Sequence, residues 1–473
     1  MNILELREKI DSGSVDSATL FKESVEAAKK SQKEYNPFVT ILDKYEKIDS
    51  NSLLSGIPYA LKDNISTNGI LTTASSNILK NFVPIYDATI YKKLKEAGAV
   101  LVGKTVLDEL AMGGTGTTGH TGSVKNPWDK TRQIGGSSSG SAAAVALGIV
   151  PFAIGSDTGD SVRKPAAYGG VVGFKPTYGR ISRYGLFAFA SSLDHLGVLT
   201  TNVKDAAIVT DIVKGYDPHD MTSLPDDNKV YSDLLDNPVK GKKLFYIKEA
   251  MENADKEILD NFEIVIKNCE SLGMEVVAES IDKDLLLAIY PSYMAISCAE
   301  ATSNDANLNG IHFGVRGEGK TPDEIITNAR TNGFSELIKR RFIIGSYILQ
   351  RENQEKLFLN AYRVRRMIVD RINELFLKYD AIIMPAAAGI APKFEEKSDK
   401  LSDKYLILDN HLCIGNFGGY PSITIPSGFI KKMPIGINIT GRVKEDDIVL
   451  NIANKLEGTM EYKNQIARRD INV

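Results

Sequence analysis

The chain has 473 residues, of which 25% are charged and 43% hydrophobic, with a formal net charge of −3. This is the composition of an ordinary globular protein, and it lacks the basic excess that would bind nucleic acid by itself. Any contact with nucleic acid must therefore be local or made through another chain. The length allows a large hydrophobic core but does not decide the number of domains.

Three widely separated cysteines and the N-terminus indicate the compartment. Cys269, Cys298 and Cys413 are an odd set whose spacing favours neither a disulfide framework nor a zinc cluster. Charged residues interrupt residues 1–10, so no signal peptide is expected. No run of eighteen apolar residues occurs, which predicts that no segment spans a membrane. The simplest location is a reducing cytoplasm.

The first predicted elements are a helix and a strand that ends in charged residues. Residues 17–32 place apolar side chains on one face and Pro37 ends the pattern, which predicts an N-terminal helix. Residues 57–61 are a short apolar stretch that predicts a strand. The strand brings Lys62 and Asp63 to its end, where catalytic groups collect in α/β folds.

Helices and strands then alternate along the chain. The predicted helices cover residues 88–97, 142–147, 255–271 and 355–378, and the predicted strands cover residues 99–102, 150–155, 244–247, 274–277, 381–384, 423–425 and 435–439. The last two strands are expected to be neighbours. The alternation predicts an α/β fold with a large, mainly parallel or mixed sheet and helices on both faces.

Four arginines lie on the polar side of the predicted helix over residues 355–378. They are Arg363, Arg365, Arg366 and Arg371. A solvated charged face is the ordinary exterior of a helix, and we prefer it to a nucleic-acid contact.

The chemical centre is predicted between residues 135 and 175. The segment reads GGSSSGSAAAVALGIVPFAIGSDTGDSVRKPAAYGGVVGFK and concentrates glycines, hydroxyls and small residues. A first polar loop, residues 135–141, precedes a helix and a strand, and a second one, residues 156–163, follows them. Glycines let backbone N–H groups turn toward a bound atom, and serines supply nucleophiles and proton relays.

Two short motifs in this region match unrelated catalytic patterns. GSSSG at residues 136–140 fits the G-x-S-x-G nucleophile elbow, which requires a strand just before it that the sequence does not predict. GTGTTG at residues 114–119 fits the dinucleotide pattern G-x-G-x-x-G, but residues 108–112 before it look helical. Neither motif has its expected structural context.

A longer set of motifs resembles the amidase signature family. These are GIPYALKDN around Lys62, GGSSSGS, and SDTGDSVRKPAAYGGVVGFKPTYGRISRYG, and the resemblance runs from about Gly56 to Glu457. Within the family, FVPIYDATIYKKL, LAMGG, FASSLDHLG and KRRFIIGSY are most similar to the A subunits of tRNA-dependent amidotransferases. The resemblance implies a single amidase domain over residues 1–473, with an N-terminal helical segment (1–50), a signature core (56–200) and the remaining sheet and helices (201–473).

The resemblance also implies a Ser-cisSer-Lys triad of Ser161, Ser137 and Lys62. A lysine buried among apolar groups has a lowered pKa and can act as a neutral base. Lys62 would take a proton from Ser137, Ser137 would take one from Ser161, and Ser161 would attack a carboxamide.

Each of these residues also has an ordinary structural interpretation. Lys62 could be a surface lysine paired with Asp63, and the two serines could be turn or cap residues. We expect Ser139 or Ser141 to cap the helix, which would leave Ser137 free for the relay.

The oxyanion of the tetrahedral intermediate needs backbone donors, and the family pattern assigns them to Thr158, Gly159, Asp160 and Ser161. Most relatives have glycine where Asp160 stands. A carboxylate here adjoins a developing negative charge, and a non-glycine residue disfavours positive φ. Asp160 is therefore expected to turn toward Lys164 or Arg163, and Asp160→Gly is expected to keep or raise activity.

Two further residues are assigned to substrate binding by the resemblance. Arg341 corresponds to the arginine that holds the α-carboxylate of glutamine, and Asp409 to the aspartate that holds its α-amine. Opposite charges at the two ends of a zwitterion would select free glutamine over simple amides. The alternatives are a surface arginine and a capping or loop aspartate.

The implied activity is the glutaminase of a heterotrimeric Glu-tRNA(Gln) amidotransferase, working with subunits B and C. This chain would hold no metal or organic cofactor, and the ligase step, with ATP and Mg²⁺, would belong to the partner that binds the tRNA. A free-standing amidase and a scaffold weakened by Asp160 stay open. The sequence does not choose between Glu-tRNA(Gln) and Asp-tRNA(Asn).

Overall fold

A computed structural model describes residues 2–46, 48, 50–396 and 399–467. Within these residues one 11-stranded sheet has the order β1-β3-β2-β4-β6-β5-β10-β11-β9-β7-β8. The strands are β1 (Phe38–Ile41), β2 (Pro58–Lys62), β3 (Val100–Thr105), β4 (Phe152–Asp157), β5 (Val172–Lys175), β6 (His195–Thr200), β7 (Lys243–Ile247), β8 (Glu275–Glu279), β9 (Ala381–Pro385), β10 (Ser422–Ile430) and β11 (Met433–Gly441).

Helices pack around this sheet and enclose a large apolar core. They are α1 (Ile3–Asp11), α2 (Ser17–Tyr35), α3 (Thr89–Glu96), α4 (Ser139–Ala146), α5 (Arg163–Gly169), α6 (Val203–Val213), α7 (Tyr231–Leu234), α8 (Lys248–Met251), α9 (Lys256–Ser271), α10 (Lys283–Leu287), α11 (Ile289–Asn304), α12 (Pro322–Gly333), α13 (Glu336–Leu349), α14 (Arg351–Asn353), α15 (Asn360–Phe376), α16 (Cys413–Phe417) and α17 (Asp446–Glu457).

The sheet is mixed, as the alternation of elements predicted. Strand β2 is parallel to both β3 and β4, while β4, β6, β5 and β10 pair antiparallel in succession. The parallel register aligns Lys62 with Thr105. The carboxyl ends of β2, β3 and β4 therefore lie at one edge of the sheet, and this edge carries the candidate site.

Most predicted elements occur within a few residues of their expected bounds. The N-terminal helix ends at Asn36, which takes the left-handed conformation (φ 54°), and β10 and β11 are antiparallel neighbours. The predicted helix over residues 355–378 is wrong at its start, because a π turn (Gln354–Leu359) precedes α15. Leu357 in that turn is 38% exposed and takes no part in the apolar stripe.

The arginine face of α15 is only partly solvated. Arg363 and Arg366 pair with carboxylates at the surface. Arg365 instead points inward, where its Nε donates to the carbonyl of Phe417 (3.0 Å) and its Nη1 to the hydroxyl of Ser192 (3.1 Å). The solvated interpretation is thus wrong for Arg365, which joins α15 to α16.

One helical stretch, Lys283–Asn304, is long and apolar enough to cross a membrane by length and composition alone. Its second part, α11, packs against α13 and α15 and places Ile289, Ile296 and Ala301 in the core. These contacts are those of a core helix in a globular domain.

Candidate active site

Lys62 is the last residue of β2 and is fully buried. Its Nζ donates to the hydroxyls of Ser137 (2.7 Å), Ser138 (2.9 Å) and Ser156 (2.9 Å), and to the carbonyl of Ser156 (3.1 Å). Burial lowers the pKa of Lys62 to about 7, although nearby aspartates act in the opposite direction. A large fraction of the amine is therefore neutral near pH 7 and can accept a proton.

The surface ion-pair interpretation of Lys62 is wrong. Asp63 faces Lys104 instead, with its Oδ1 3.6 Å from the Lys104 Nζ. The other carboxylate oxygen of Asp63 accepts hydrogen bonds from the N–H and the hydroxyl of Thr73. In the described part of the chain, all hydrogen-bond partners of the Lys62 amine are hydroxyls or a carbonyl, and none is a carboxylate. Because no carboxylate binds its charged form directly, the amine is available as a base.

The serines that follow Gly136 have separate roles in the structure. The Gly136–Ser137 peptide bond is cis, and the Ser137 hydroxyl contacts Lys62. Ser138, not Ser139 or Ser141, occupies the N-cap position of α4, and its hydroxyl donates to the carbonyl of Ser156 (3.0 Å) rather than capping the helix. The predicted side-chain cap at Ser139 or Ser141 is thus wrong.

A buried carboxylate supports the serine loop from behind. Asp108 accepts hydrogen bonds from the backbone N–H groups of residues 115–118, at 2.9 to 3.2 Å. A Cβ atom on Gly136 would lie 2.0 Å from its Oδ2, so only glycine fits there. The glycine-rich loop at residues 114–119 therefore binds a carboxylate of its own chain, and the dinucleotide interpretation fails.

The elbow interpretation of residues 136–140 also lacks its structural context. In the described residues just before the motif, two isolated bridges, Lys125 with Gln133 and Arg132 with Lys393, stand in place of a strand. The Ser138 N–H donates to the carbonyl of Ser161 (3.0 Å), which brings the two polar loops into contact. Ser161 is 3% exposed, and its hydroxyl makes no hydrogen bond within the described residues.

The loop over residues 158–161 connects β4 to α5. Among the described residues, no acceptor pairs with the backbone N–H groups of Gly159, Asp160 or Ser161. Asp160 does not adopt a positive φ, so its side chain causes no backbone strain. Unpaired N–H groups beside a free hydroxyl are what an oxyanion requires.

A buried ion pair and its hydrogen bonds hold the loop of residues 158–161 in place. Arg163 is fully buried and binds Asp157 through two nitrogens, Nε (3.0 Å) and Nη2 (2.9 Å). The same guanidinium donates to the carbonyl of Gly159 (2.8 Å) and to the side chain of Asn416 (2.7 Å). Its charge lowers the pKa of Asp157 strongly, although burial acts to raise it. Bidentate contact of this kind fixes the direction in which the loop leaves β4.

Asp160 pairs with Lys164, one of the two partners expected for it. The Lys164 Nζ lies 3.0 Å from the Asp160 Oδ2 and also contacts the backbone carbonyl of Asp409. Burial acts to lower the pKa of Lys164, but the carboxylates of Asp160 and Asp409 raise it. Lys164 is therefore a permanent cation beside the loop.

Asp409 follows a π turn (Lys404–Leu408) and is half-buried. Its Oδ1 accepts a hydrogen bond from the N–H of Ala388 (3.1 Å), as in the loop interpretation. It also lies close enough to Lys164 to influence its pKa. Asp409 thus borders the same loop as Asp160.

Arg341 on α13 is half-buried, and two nitrogens of its guanidinium group are shielded from solvent. Its Nε and Nη1 are both unpaired among the described residues. The guanidinium carbon lies 5.6 Å from the ring centre of Phe189. The N–H of Phe189 donates to Asp194 (2.9 Å), which in turn accepts a hydrogen bond from the Thr158 hydroxyl (2.7 Å). Arg341 therefore lies near the segment that contacts Thr158, and its role in substrate binding stays a prediction.

Two residues at the site escaped the sequence analysis. The ring of Tyr293 covers the loop, because a Cβ atom on Gly159 would lie 3.0 Å from the Tyr293 Cε2. Arg341 is close enough to Tyr293 to influence its pKa. Asp194 is buried, and burial raises its pKa to about 6. Tyr293 lies in an apolar helical stretch whose pattern predicts a core residue. Asp194 lies in the FASSLDHLG motif, where no local pattern predicts a role for it.

The remaining candidate groups make no hydrogen bond to Lys62, Ser137 or Ser161 in the described residues, although Cys413 packs against the loop, where a Cβ atom on Gly159 would lie 3.2 Å from its Sγ. Cys269, Cys298 and Cys413 are buried free thiols. His195 is buried, and burial lowers its pKa well below the usual value. No group of three or more His, Cys, Asp or Glu side chains in the described residues is arranged to hold a metal ion. The lysine, the serines and the unpaired backbone N–H groups are the polar groups that meet at this edge of the sheet.

Comparison with known proteins shows the family to which the chain is similar. A family model described as Amidase matches residues 18–450. The A subunit of the glutamyl-tRNA(Gln) amidotransferase of Heliobacterium modesticaldum is 43% identical over 408 residues, covering 85% of this chain and 83% of that protein. The corresponding protein of Lactobacillus delbrueckii subsp. bulgaricus, which has the same name, is 38% identical over 468 residues, covering 97% and 96%.

Solved structures show the same fold. The crystal structure of the A subunit of glutamyl-tRNA(Gln) amidotransferase from Thermotoga maritima matches with a TM-score of 0.84 at 37% identity, covering 98% of this chain and 96% of that chain. The peptide amidase from Stenotrophomonas maltophilia matches with a TM-score of 0.83 at 24% identity and covers 97% of each chain. The fold therefore extends over nearly the whole sequence.

Proposed function

The chain belongs to the amidase family, and on that premise we propose that it is the glutamine-hydrolysing subunit of a Glu-tRNA(Gln) amidotransferase. The observation that carries the proposal is the 2.7 Å contact between Lys62 and Ser137 in a fully buried site. A neutral lysine on a serine hydroxyl is a base and relay for acyl transfer. The named function of the relatives supports the choice of substrate.

Ser161 is the proposed nucleophile. Its oxygen attacks the carboxamide carbon of glutamine while its proton passes to the Ser137 oxygen, and the Ser137 proton passes to the Lys62 Nζ. The unpaired N–H groups of residues 159–161 stabilise the negative oxygen of the tetrahedral intermediate. The Thr158 N–H completes the set assigned by the family resemblance.

The relay then runs in reverse. The proton held by Lys62 returns through Ser137 to the nitrogen of the intermediate, the C–N bond breaks and ammonia leaves. A glutamyl ester stays on Ser161. A water molecule, deprotonated by the same relay, cleaves the ester and releases glutamate. The lysine and the relay serine thus act once as base and once as acid in each half-reaction.

Glutamine is selected through its charges. Arg341 is proposed to bind the α-carboxylate, since two of its buried nitrogens lack a partner among the described residues. Tyr293 is near both Gly159 and Arg341, and it would direct the substrate side chain toward the loop. Asp409 is proposed to bind the α-ammonium. Charge-assisted bonds at both ends would discriminate against amides that lack either group.

Subunits B and C of the amidotransferase are the proposed partners in a cytoplasmic heterotrimer. The relatives are named as one lettered subunit of an amidotransferase, which supports a complex. The glycine-rich loop that resembles a nucleotide motif is occupied by Asp108. ATP, Mg²⁺ and the tRNA are therefore assigned to the partner, which would receive ammonia from this chain.

The test compares the chain alone with the chain in its complex. We expect glutamine turnover to be slow in the isolated chain and to rise at least about tenfold when co-purified subunits, ATP and Glu-tRNA(Gln) are added, because free ammonia without an acceptor is wasted. Mass spectrometry identifies the co-purified subunits. Equal turnover in both conditions with broad amide acceptance would contradict the proposal and leave a free-standing amidase.

A further inference from the structure

The loop of residues 158–161 carries an ion pair that the proposed mechanism does not use. Lys164 lies in the first turn of α5, and its Nζ is 3.0 Å from the carboxylate of Asp160. The two side chains are only 11% and 17% exposed. Solvent therefore screens this pair less than it screens an ordinary surface pair.

The same ammonium group reaches the segment that carries Asp409. The Lys164 Nζ donates to the Asp409 backbone carbonyl, and the Asp409 carboxylate acts on it through space. The Asp409 side chain accepts one hydrogen bond, from the N–H of Ala388 (3.1 Å). One cation thus faces two carboxylates, and the closer ion pair is with Asp160.

We propose that Asp160 is a positioning residue that holds the Lys164 ammonium on itself and so keeps the charge of Asp409 free for the α-ammonium of the substrate. This inference rests on the proposed function, because it requires a zwitterionic substrate. It gives a role to the residue at which this sequence departs from the pattern implied by the family resemblance. It also predicts that substitutions of Asp160 and Lys164 have effects that depend on each other.

The expectation for Asp160→Gly is thereby reversed. Without Asp160, Lys164 turns to Asp409 and competes with the substrate ammonium for the same carboxylate. We expect the KM for glutamine to rise roughly tenfold or more with a smaller change in kcat, since binding of the ground state and of the transition state is lost together.

Lys164→Gln has a different signature. It leaves the Asp160 carboxylate without its cation next to the loop where the oxyanion forms. The developing negative charge is then opposed, and kcat falls roughly tenfold while the KM for glutamine changes little. The double variant Asp160→Gly with Lys164→Gln removes both charges. We expect its KM and its kcat for glutamine to return most of the way to the wild-type values.

The experiment measures all three variants on two amides, using full-length protein purified with the subunits that accompany it. The first amide is glutamine, and the second is glutaric acid monoamide, which lacks only the α-ammonium group. Asp160→Gly should raise the KM for glutamine and leave that for glutaric acid monoamide within about twofold. Arg366→Gln, which removes an exposed ion pair of the same spacing on α15, is the matched control.

The outcomes separate the inference from the function. If Asp160→Gly raises KM for both amides equally, or if both single variants change the same kinetic parameter, the pair is merely structural and the inference is wrong. Wild type that hydrolyses the two amides equally well would overturn the proposed function as well. Asp160→Asn, which keeps the side-chain size, replaces Asp160→Gly if thermal unfolding shows that the glycine variant is not folded.

Discussion

Two buried lysines on neighbouring strands have opposite surroundings. Lys62 ends β2 and faces hydroxyls and a carbonyl, whereas Lys104 on β3 lies 3.6 Å from the carboxylate of Asp63 and donates to Ile65 and Thr72. Burial lowers both pKa values, to about 7 for Lys62 and about 8 for Lys104. Burial therefore does not distinguish them. The groups around each amine are the basis on which we propose Lys62 as the proton relay and Lys104 as a structural residue.

The largest effect on glutamine hydrolysis is expected from substitution of Ser161, the proposed nucleophile beside the Lys62 cluster. Ser161→Ala removes the covalent route, so glutamine hydrolysis should fall by at least about 10⁴-fold with a normal unfolding temperature. Steady-state ammonia release measures the loss. Retained activity would show that a different atom attacks the amide.

The two lysines should separate activity from stability. Lys62→Met deletes the base, and we expect a loss of roughly 10³-fold or more in kcat. Lys104→Met should instead leave kcat within a few-fold and lower the free energy of unfolding by about 3 kcal/mol, because it leaves the Asp63 carboxylate buried and unpaired. Ammonia release and urea unfolding give the two quantities.

The double variant Lys104→Met with Asp63→Asn controls for the charge. It should recover part of the lost stability, since no uncompensated carboxylate is left. A Lys104→Met variant that is stable but inactive would contradict the comparison, because the second lysine would then take part in chemistry.

Ser137 and Ser138 both contact Lys62, and their variants test which of the two hydroxyls relays the proton. Ser137→Ala should lower kcat by about 10²–10³-fold and leave a residual rate, since a water molecule can partly replace a hydroxyl. Ser138→Ala should cost less than about tenfold, because its hydroxyl also bonds the carbonyl of Ser156. An inactive Ser138→Ala with an active Ser161→Ala would restore the nucleophile-elbow interpretation.

The pH profile tests the proposed base without any substitution. Lys62 acts when it is neutral, and its pKa is lowered to about 7. We therefore expect kcat/KM to fall about tenfold for each pH unit below 7 and to level off above about pH 8. A rate that is independent of pH through this range would show that the base is not Lys62.

Much of this arrangement was predictable because it depends on local pattern. The apolar run before Lys62 predicted β2, and the polar loops predicted where the serines meet. The family motifs identified the residues of the proposed triad. The direction of Asp160 was also expected, because Lys164 is one of the two cations that follow it closely in the sequence.

The rest depends on contacts between distant segments, which no local pattern shows. Tyr293 reads as a core residue of α11 and reaches Gly159 only in the fold. Asp108 looks like a helix start, yet it binds the N–H groups of residues 115–118. Arg365 follows the solvated pattern of its helix and instead bonds the carbonyl of Phe417. Each miss is a polar group whose partner lies elsewhere in the sequence or in a folded loop.

The most direct test of the account is to trap the acyl-enzyme. Rapid acid quench of the protein during glutamine turnover, followed by peptide mass spectrometry, should find a glutamyl ester on Ser161 that is absent from Ser161→Ala and from Lys62→Met. Lys104→Met should still form the ester. A glutamyl adduct on Ser138, or turnover through Ser161→Ala at the wild-type rate, would contradict the assignment of Lys62, Ser137 and Ser161.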